Sequence, residues 1–450
     1  MLIYYHKSLK FFSMLDIEFI KNNASYMKQV LINKNSKISI DDLLSIYDKR
    51  KNLLNQVEVL RKNKNQIADQ MKNIKDLAQD EKIDLINKGK DIKQNLNKLE
   101  SDLDIIDKEY LDIMLKVPNF YSEDTPIGKN ETENKILRQV GIISQFDFDP
   151  KEHWELGEKL NLINTQKSAV ISGSRFAYLV GDLVRLQFSI VQMVFDTLTN
   201  QKILKEIMQK NNLEVSDTPF IPVIPPVLMR PEVMDRMGRL HPMDERYQTT
   251  IDGLMLVGSA EHTLGPLHMD ELINIKENPI RYVGYSTAFR REAGTYGKDM
   301  KGILRLHQFD KIEIETFTTK ENGFVEQDFI VAIQEYLVQQ LELPYQMVLK
   351  CTGDMGNPDI RALDIETWMP GQNQYRETHT SDYMGDFQSR RLKTQYLDKS
   401  GNREFAHMND ATVFAIGRIL IAIMENYQTK EGYIRVPKIL QKYLNKDLIK

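Results

Sequence analysis

A single cysteine, Cys351, stands in 450 residues. That excludes a disulfide framework and a cysteine-rich structural zinc site, and it fits a reducing, cytoplasmic setting. No apolar run reaches the roughly 18 residues a membrane span needs, so no membrane partner is expected. Charge of one sign is also missing: 60 Lys and Arg face 64 Asp and Glu, a formal net charge of −4. A global basic field is therefore absent, and any contact with nucleic acid must be local. There is no G-x-x-x-x-G-K-[ST] loop, no G-x-G-x-x-G after a strand and no H-E-x-x-H. "GSRF" at 173–176 is too short to be a phosphate loop. The histidines, among them His153, His241, His262, His268, His307, His379 and His407, lack metal-ligand spacing and read as structural or hydrogen-bonding groups. The first 13 residues have Lys7 and Lys10 but too few small residues for a secretory signal, and Met14 reads as a more natural start.

Proline is absent from residues 41–115, and Gly89 is the lone glycine there. Two apolar ladders fill that stretch: Leu53, Val57, Leu60, Lys64, Ile67, Met71, Ile74, then Leu85, Gly89, Ile92, Leu96, Leu99, Leu103, Ile106, Tyr110, Ile113. Both step four and three, the seam of a coiled coil. The polar "KDLAQDEKID" between them makes an antiparallel helical hairpin. From Lys49 on, the first helix carries Lys49, Arg50, Lys51, Arg61, Lys62, Lys64, Lys72 and Lys75 against Glu58 and Asp69. This is either a solvated coiled-coil face or a basic face held out toward a phosphate backbone.

The Pro/Gly/Asn-rich stretch at 116–134 marks a domain boundary, placed at 125/126. Beyond it, β-rich runs follow one another without a helix between each pair, and amphipathic helices are expected near 183–212, 324–341 and 412–428. The expected fold class is α+β: a helical arm followed by an antiparallel sheet flanked by helices. Polar groups break the apolar strands. Arg290 and Glu292 are expected on one strand face, with Arg305, His307, Phe309, Lys311 and Glu313 on one face of the returning strand. These are either cross-strand pairs or the walls of a site for a purine and its phosphates. "YRETHT" at 375–380 offers Glu377 and Thr380 for magnesium or phosphate oxygens, and Arg418 in an otherwise apolar helix calls for a partner such as phosphate.

These motifs resemble the class II aminoacyl-tRNA synthetases. "IPPVLM" with Pro226 resembles their motif 1, residues 289–313 resemble motif 2, and "AIGRILIA" within 412–428 resembles motif 3. The order of "SAE", "FRREAG", "GILRLHQFDKIE", "CTGDMG", "DIETWMPGQNQYRETHT", "DFQSRR" and "ENYQ" resembles the seryl-tRNA synthetase family of bacterial type from Met14 onward. The resemblance implies ATP-dependent activation of L-serine and transfer to the tRNA for serine, with the tRNA for selenocysteine as a further acceptor. It implies a homodimer, a coiled coil that grips the long variable arm through Arg50, Arg61, Lys62 and Lys64, and magnesium carried with ATP on Glu377 and Thr380. It also implies the site residues. Arg290 and Arg418 are catalytic. Arg290, Arg291, Glu292, Arg305, Leu306, Phe309, Glu377, Thr378, His379, Thr380 and Arg418 bind ATP. Ser259, Ala260, Glu261, Arg290, Glu313, Asp410 and Thr412 bind serine. Ser259 replaces the family's usual threonine and Asp410 its asparagine. Asp410 either shares a proton near the seryl hydroxyl or caps the 412–428 helix. The loop at 294–302 is expected to move as tRNA and ATP arrive. A carrier-loading paralogue would lack the arm and hold zinc through cysteine, and an inactive RNA-binding homologue would have lost Arg290, Glu292 or Arg418.

Overall fold

The computed structural model describes residues 15–72, 74–76, 78–292 and 301–450. The first 13 residues, Met14 and most of the loop at 294–302 lie outside them. The chain forms two compact units divided between Pro118 and Asn119, ahead of the boundary expected at 125. Asn119 explains the difference. Its side-chain amide donates to the carbonyls of Pro358 and Met384, both at 2.9 Å, and Ser122 N–H donates to Ile360 O at 2.8 Å.

The first unit has two short helices, α1 (Ile17–Asn22) and α2 (Ala24–Asn33), then two long ones, α3 (Ile40–Lys72) and α4 (Gln79–Lys116). The Ser39 hydroxyl accepts from Asp42 N–H at 3.2 Å and so caps α3. Helices α3 and α4 pair antiparallel: Tyr47 lies 6.1 Å from Tyr110 ring to ring, Arg50 Nε is 2.6 Å from Asp107, and Arg61 Nη2 is 2.7 Å from Glu100. Val57, Leu85, Leu96, Tyr110 and Met114 are buried in the seam, and Gly89 faces Ile67. Two expectations change. Lys64 is exposed and Asn63 takes the half-buried seam position, because 3.6 residues per turn drift off a strict heptad. Arg50 is not part of an exposed basic face. It is buried, pinned by Asp107 and stacked 5.2 Å from the Tyr110 ring.

The second unit is built on an eight-stranded sheet: β1 (Lys135–Val140), β2 (Ile221–Val223), β3 (Ile280–Phe289), β4 (Gln308–Thr318), β5 (Tyr345–Leu349), β6 (Arg361–Met369), β7 (Gln374–Gly385) and β8 (His407–Ala415). Their spatial order is β1-β5-β6-β7-β8-β4-β3-β2. Every pairing is antiparallel except β2 with β3. The fold is α+β. Period-two alternation divides β4 between two faces: Ile312 and Ile314 enter the main core, while Phe309, Lys311, Glu313 and Glu315 point the other way. Helices α5 (His153–Lys159), α6 (Asp182–Leu198), α7 (Gly323–Gln340) and α8 (Ile416–Asn426) contribute to that core. From α7, the Gln334 amide donates to the carbonyls of Thr380 (2.7 Å) and Thr412 (2.8 Å), and Gln327 donates to those of Arg361 and Ser381.

The expected 183–212 helix is two helices, interrupted where Asn200 caps Gln201–Lys210. The expected 412–428 helix begins at Ile416, and residues 407–415 are strand β8. "MNDATVFAI" is apolar enough to satisfy either period, and pairing on both edges decides for the strand.

Candidate active site

A cavity of about 400 Å³ opens on the polar face of β4, β7 and β8, and the start of α8 contributes Gly417 and Arg418 to its wall. Arg290 and Glu292 both line it, although not as one strand face. Strand β3 ends at Phe289, and Glu292 adopts φ +52°, the left-handed region. Arg305 and His307 likewise precede β4, so of those five residues Phe309, Lys311 and Glu313 share its strand face. Arg290 N–H donates to His307 O and His307 Nδ1 lies 3.0 Å from Arg290 O, extending the hairpin by one rung. His307 is therefore a backbone brace.

The arginines of the rim have carboxylate or aromatic neighbours. Arg290 Nε donates to Gly258 O at 3.1 Å, and its guanidinium carbon sits 5.5 Å over the Phe309 ring. Arg305 pairs with Glu292. Arg418 Nη1 contacts Glu377 Oε1 at 3.0 Å and Glu377 O at 2.9 Å. Burial pushes the Glu377 carboxyl up, but Arg418, Lys350, Lys311 and Arg290 outweigh it and hold it below its usual range.

Deeper in, Ser259 donates to Glu313 Oε1 at 2.7 Å, Thr412 donates to the same oxygen at 3.2 Å, and Lys311 Nζ pairs with it. Glu313 Oε2 is buried without a hydrogen-bond partner. Ser259, Lys311 and Thr412 line the cavity, and Glu313 lies behind them. Glu261, also on the wall, accepts from Arg239 Nε (2.8 Å) and Gln388 (2.9 Å). Burial pushes its carboxyl up, yet Arg239, with smaller contributions from His262 and Gln388, brings it down to about 2.

Asp410 does not cap a helix. It lies within β8, buried, and faces the cavity, while the residue before α8, Ala415, provides no side-chain cap. Thr378 and His379 turn away from the cavity. Thr378 bonds Thr367 and His379 inside the sheet, and burial drives the His379 imidazole down to about 3. Ala260 is buried against Gly284, and Arg291 is exposed. Leu306, Phe309, Glu377 and Thr380 all line the cavity.

The cavity also recruits residues that sequence patterns did not single out. Asp382 was legible in principle, since it follows Thr380 by two on the same strand. Arg239 and Arg246 sit in irregular chain and had no periodic signal. Behind the wall, Glu425 at the end of α8 accepts from His153 N (3.0 Å), Gly371 N (2.9 Å) and Gln372 Nε2 (3.3 Å), with His153 Nδ1 at 3.2 Å. His153 Nε2 accepts from Ile303 N at 3.1 Å. That bond assigns the ring proton to Nδ1. One carboxylate thus fixes the approach to Ile303, Leu304, Arg305 and Leu306, all of which line the cavity.

Residues 247–427 match the core domain of class II tRNA synthetases for glycine, histidine, proline, serine and threonine, and residues 14–121 match the seryl-tRNA synthetase N-terminal domain. A serine–tRNA ligase of Petrotoga mobilis is 36% identical over 97% of this chain and 100% of its own length. The crystal structure of seryl-tRNA synthetase from Pyrococcus horikoshii complexed with ATP is similar at a TM-score of 0.86 and 31% identity, covering 97% of this chain and 99% of that one. The cytoplasmic serine–tRNA ligase of Naegleria fowleri in complex with AMP is similar at a TM-score of 0.80 and 27% identity, covering 97% and 98%. With both of its units matched and its full length shared with such relatives, this chain belongs to the seryl-tRNA synthetase family of class II aminoacyl-tRNA synthetases.

Proposed function

We propose that the chain is a serine–tRNA ligase. A serine carboxylate oxygen attacks the α-phosphorus of ATP, the bond to the β-phosphate oxygen breaks, and seryl-adenylate and diphosphate form. A terminal ribose hydroxyl of the tRNA for serine then attacks the seryl carbonyl and releases AMP. Where a tRNA for selenocysteine is present, the same chemistry serves it. The observation that carries this reading is the buried Ser259–Glu313–Thr412 cluster at the base of an arginine-rimmed cavity. It offers a small hydroxyl-bearing ligand a polar floor, and a site built this way leaves its polar groups unpaired against alanine, a discrimination of up to about 10⁴-fold.

In this reading Arg290 bridges the serine carboxylate and the α-phosphate and spreads charge off the transition state. Phe309 offers its ring to adenine and Glu292 contacts its edge. Arg305 and Arg418 hold the outer phosphates. Each is paired with a carboxylate, Arg305 with Glu292 and Arg418 with Glu377, so triphosphate binding exchanges these carboxylates for phosphate oxygens. No side chain acts as nucleophile, and catalysis is orientation with electrostatic stabilisation. Glu377 and Thr380 are oxygen donors on the cavity wall, which suits a magnesium ion bound through one carboxylate and the nucleotide's phosphates. When bound, that ion neutralises phosphate charge. The arm engages the long variable arm of the tRNA through Arg61, Lys62 and Lys64, and the enzyme works as a cytoplasmic homodimer. Serine-dependent ATP–diphosphate exchange, followed by serylation of the tRNA for serine, tests the reading. Exchange with another amino acid and not with serine would overturn it.

A further inference from the structure

Below the Ser259–Glu313–Thr412 cluster lies a second row of polar side chains that the reaction above leaves unused. Asp382, Asp410 and Glu315 stand side by side on β7, β8 and β4: Asp382 registers with Asp410, and Asp410 with Glu315. Asp410 lines the cavity while Glu315 is wholly buried. Neither oxygen of Glu315 has a hydrogen-bond partner, nor does Asp410 Oδ1. Two ionised carboxylates facing each other can only accept, which leaves both unsatisfied. A proton on one makes it a donor.

The surrounding charges favour that proton. From β4, Asp410 is faced by Lys311, Glu313 and Glu315; from β7 by Asp382; from the 261–264 helix by Glu261 and His262; from the preceding loop by Arg239 and Arg246. Lys311 is engaged by Glu313 and Arg239 by Glu261, and neither Asp410 nor Glu315 forms an ion pair among the described residues. Burial, with Glu261, Glu313 and Glu315, pushes the Asp410 carboxyl well above its usual range against Arg239. Burial and Glu261 push Glu315 up in the same way, again against Arg239, with Glu313 adding to the rise.

A hydroxyl needs one acceptor and one donor, and Glu313 Oε2, unpartnered behind the Ser259 and Thr412 of the cavity wall, is the acceptor that a serine side chain seated between those two would reach. On the reading of this cavity as a serine site, we propose that Asp410 is a specificity-determining residue that meets the seryl hydroxyl as a carboxylic acid. It donates to the hydroxyl oxygen while Glu313 accepts the hydroxyl proton, and Glu315 is the positioning residue, a buried carboxyl registered beside Asp410 that opposes its ionisation. Serine recognition is then complete while Asp410 keeps its proton and is lost as pH rises through its raised pKa, by up to about tenfold per pH unit.

Two measurements test this. Calorimetric titration of the wild-type enzyme with serine, in two buffers of different ionisation enthalpy between about pH 6 and 9, reads the protons exchanged. Net uptake that grows with pH is expected. In serine-dependent exchange, wild-type kcat/KM falls over that range, Asp410→Asn (a fixed amide donor) flattens the fall, and Glu315→Gln moves it to lower pH. Serine binding without proton uptake, or an Asp410→Asn profile parallel to wild type, would overturn the proposal while leaving the serine reading standing. Absence of any serine-dependent exchange would instead remove the reading on which it rests.

Discussion

Arg290 is tied into the site through both side chain and backbone: its guanidinium meets Gly258 O and lies over Phe309, and its N–H extends the β3–β4 hairpin. Arg290→Ala should lower serine-dependent exchange about 100-fold or more, the scale of losing one preorganised charge donor, with an unchanged melting temperature. Near-normal exchange would refute its role. Burial is the largest influence on another residue-scale property, with neighbouring cations adding to it at His262 and His407. It drives His262 and His379 to about 3 and His407 to about 4. Their folded pKa values lie below the unfolded one of about 6.5, so the unfolded chain takes up protons first, and stability present above pH 6.5 is lost as pH falls toward those values. His379→Gln should therefore lose less melting temperature than wild type between pH 7 and 4.5. Equal losses would show that His379 titrates normally. At this scale the sequence was informative where a side chain belongs to a long motif, as with Arg290, Phe309, Glu377 and Arg418. It was silent on Arg239, which reaches Glu261 from irregular chain, and of its two readings of Asp410 the helix cap put the residue in the wrong element.

The helical hairpin was almost wholly legible, because its partner contacts are periodic and local. Its charges were less so: Arg50 reads as one more exposed cation until its pairing with Asp107 is seen. Arg50→Ala should lower the stability of the arm, whereas Lys62→Glu and Lys64→Glu should spare stability, raise the KM for tRNA and flatten its salt dependence. The opposite pattern in melting and serylation assays would reverse the assignment. Gly89 offers a second test. A methyl there would meet Ile67 Cγ2 at 3.6 Å, an ordinary contact. Gly89→Ala should stabilise the arm by about 1 kcal/mol in denaturant titration, since glycine is the costlier residue inside a helix. A loss of stability would mean that the helices cross more tightly than the side chains indicate. In the second unit, β8 and the start of α8 were misread together, because the apolar-rich stretch across 408–424 satisfies both periods and pairing partners far away in sequence decide between them.

At the scale of the molecule, Ile221, Ile224 and Leu228 around Pro226 are exposed, Ile224 at 83%. Apolar groups clustered at a sheet edge call for cover, which the dimer proposed above would supply. Sedimentation should give twice the monomer mass, and Ile224→Glu should yield monomers with reduced exchange. A fully active wild-type monomer would exclude the dimer. The division into two units was legible from the change in composition, and its exact place was not, since it depends on where the Asn119 amide finds carbonyls 239 and 265 residues away. The Glu425 carboxylate, which gathers His153, Gly371 and Gln372, has a consequence in time. His153 and Glu425 are 272 residues apart, so this knot can close only when nearly the whole chain has been synthesised. The arm, made of neighbouring helices, can fold while the ribosome is still extending the sheet. A nascent chain thus acquires its arm before its cavity wall is fixed, and the last turn of α8 to emerge ties His153 to Gly371 and Gln372 behind that wall.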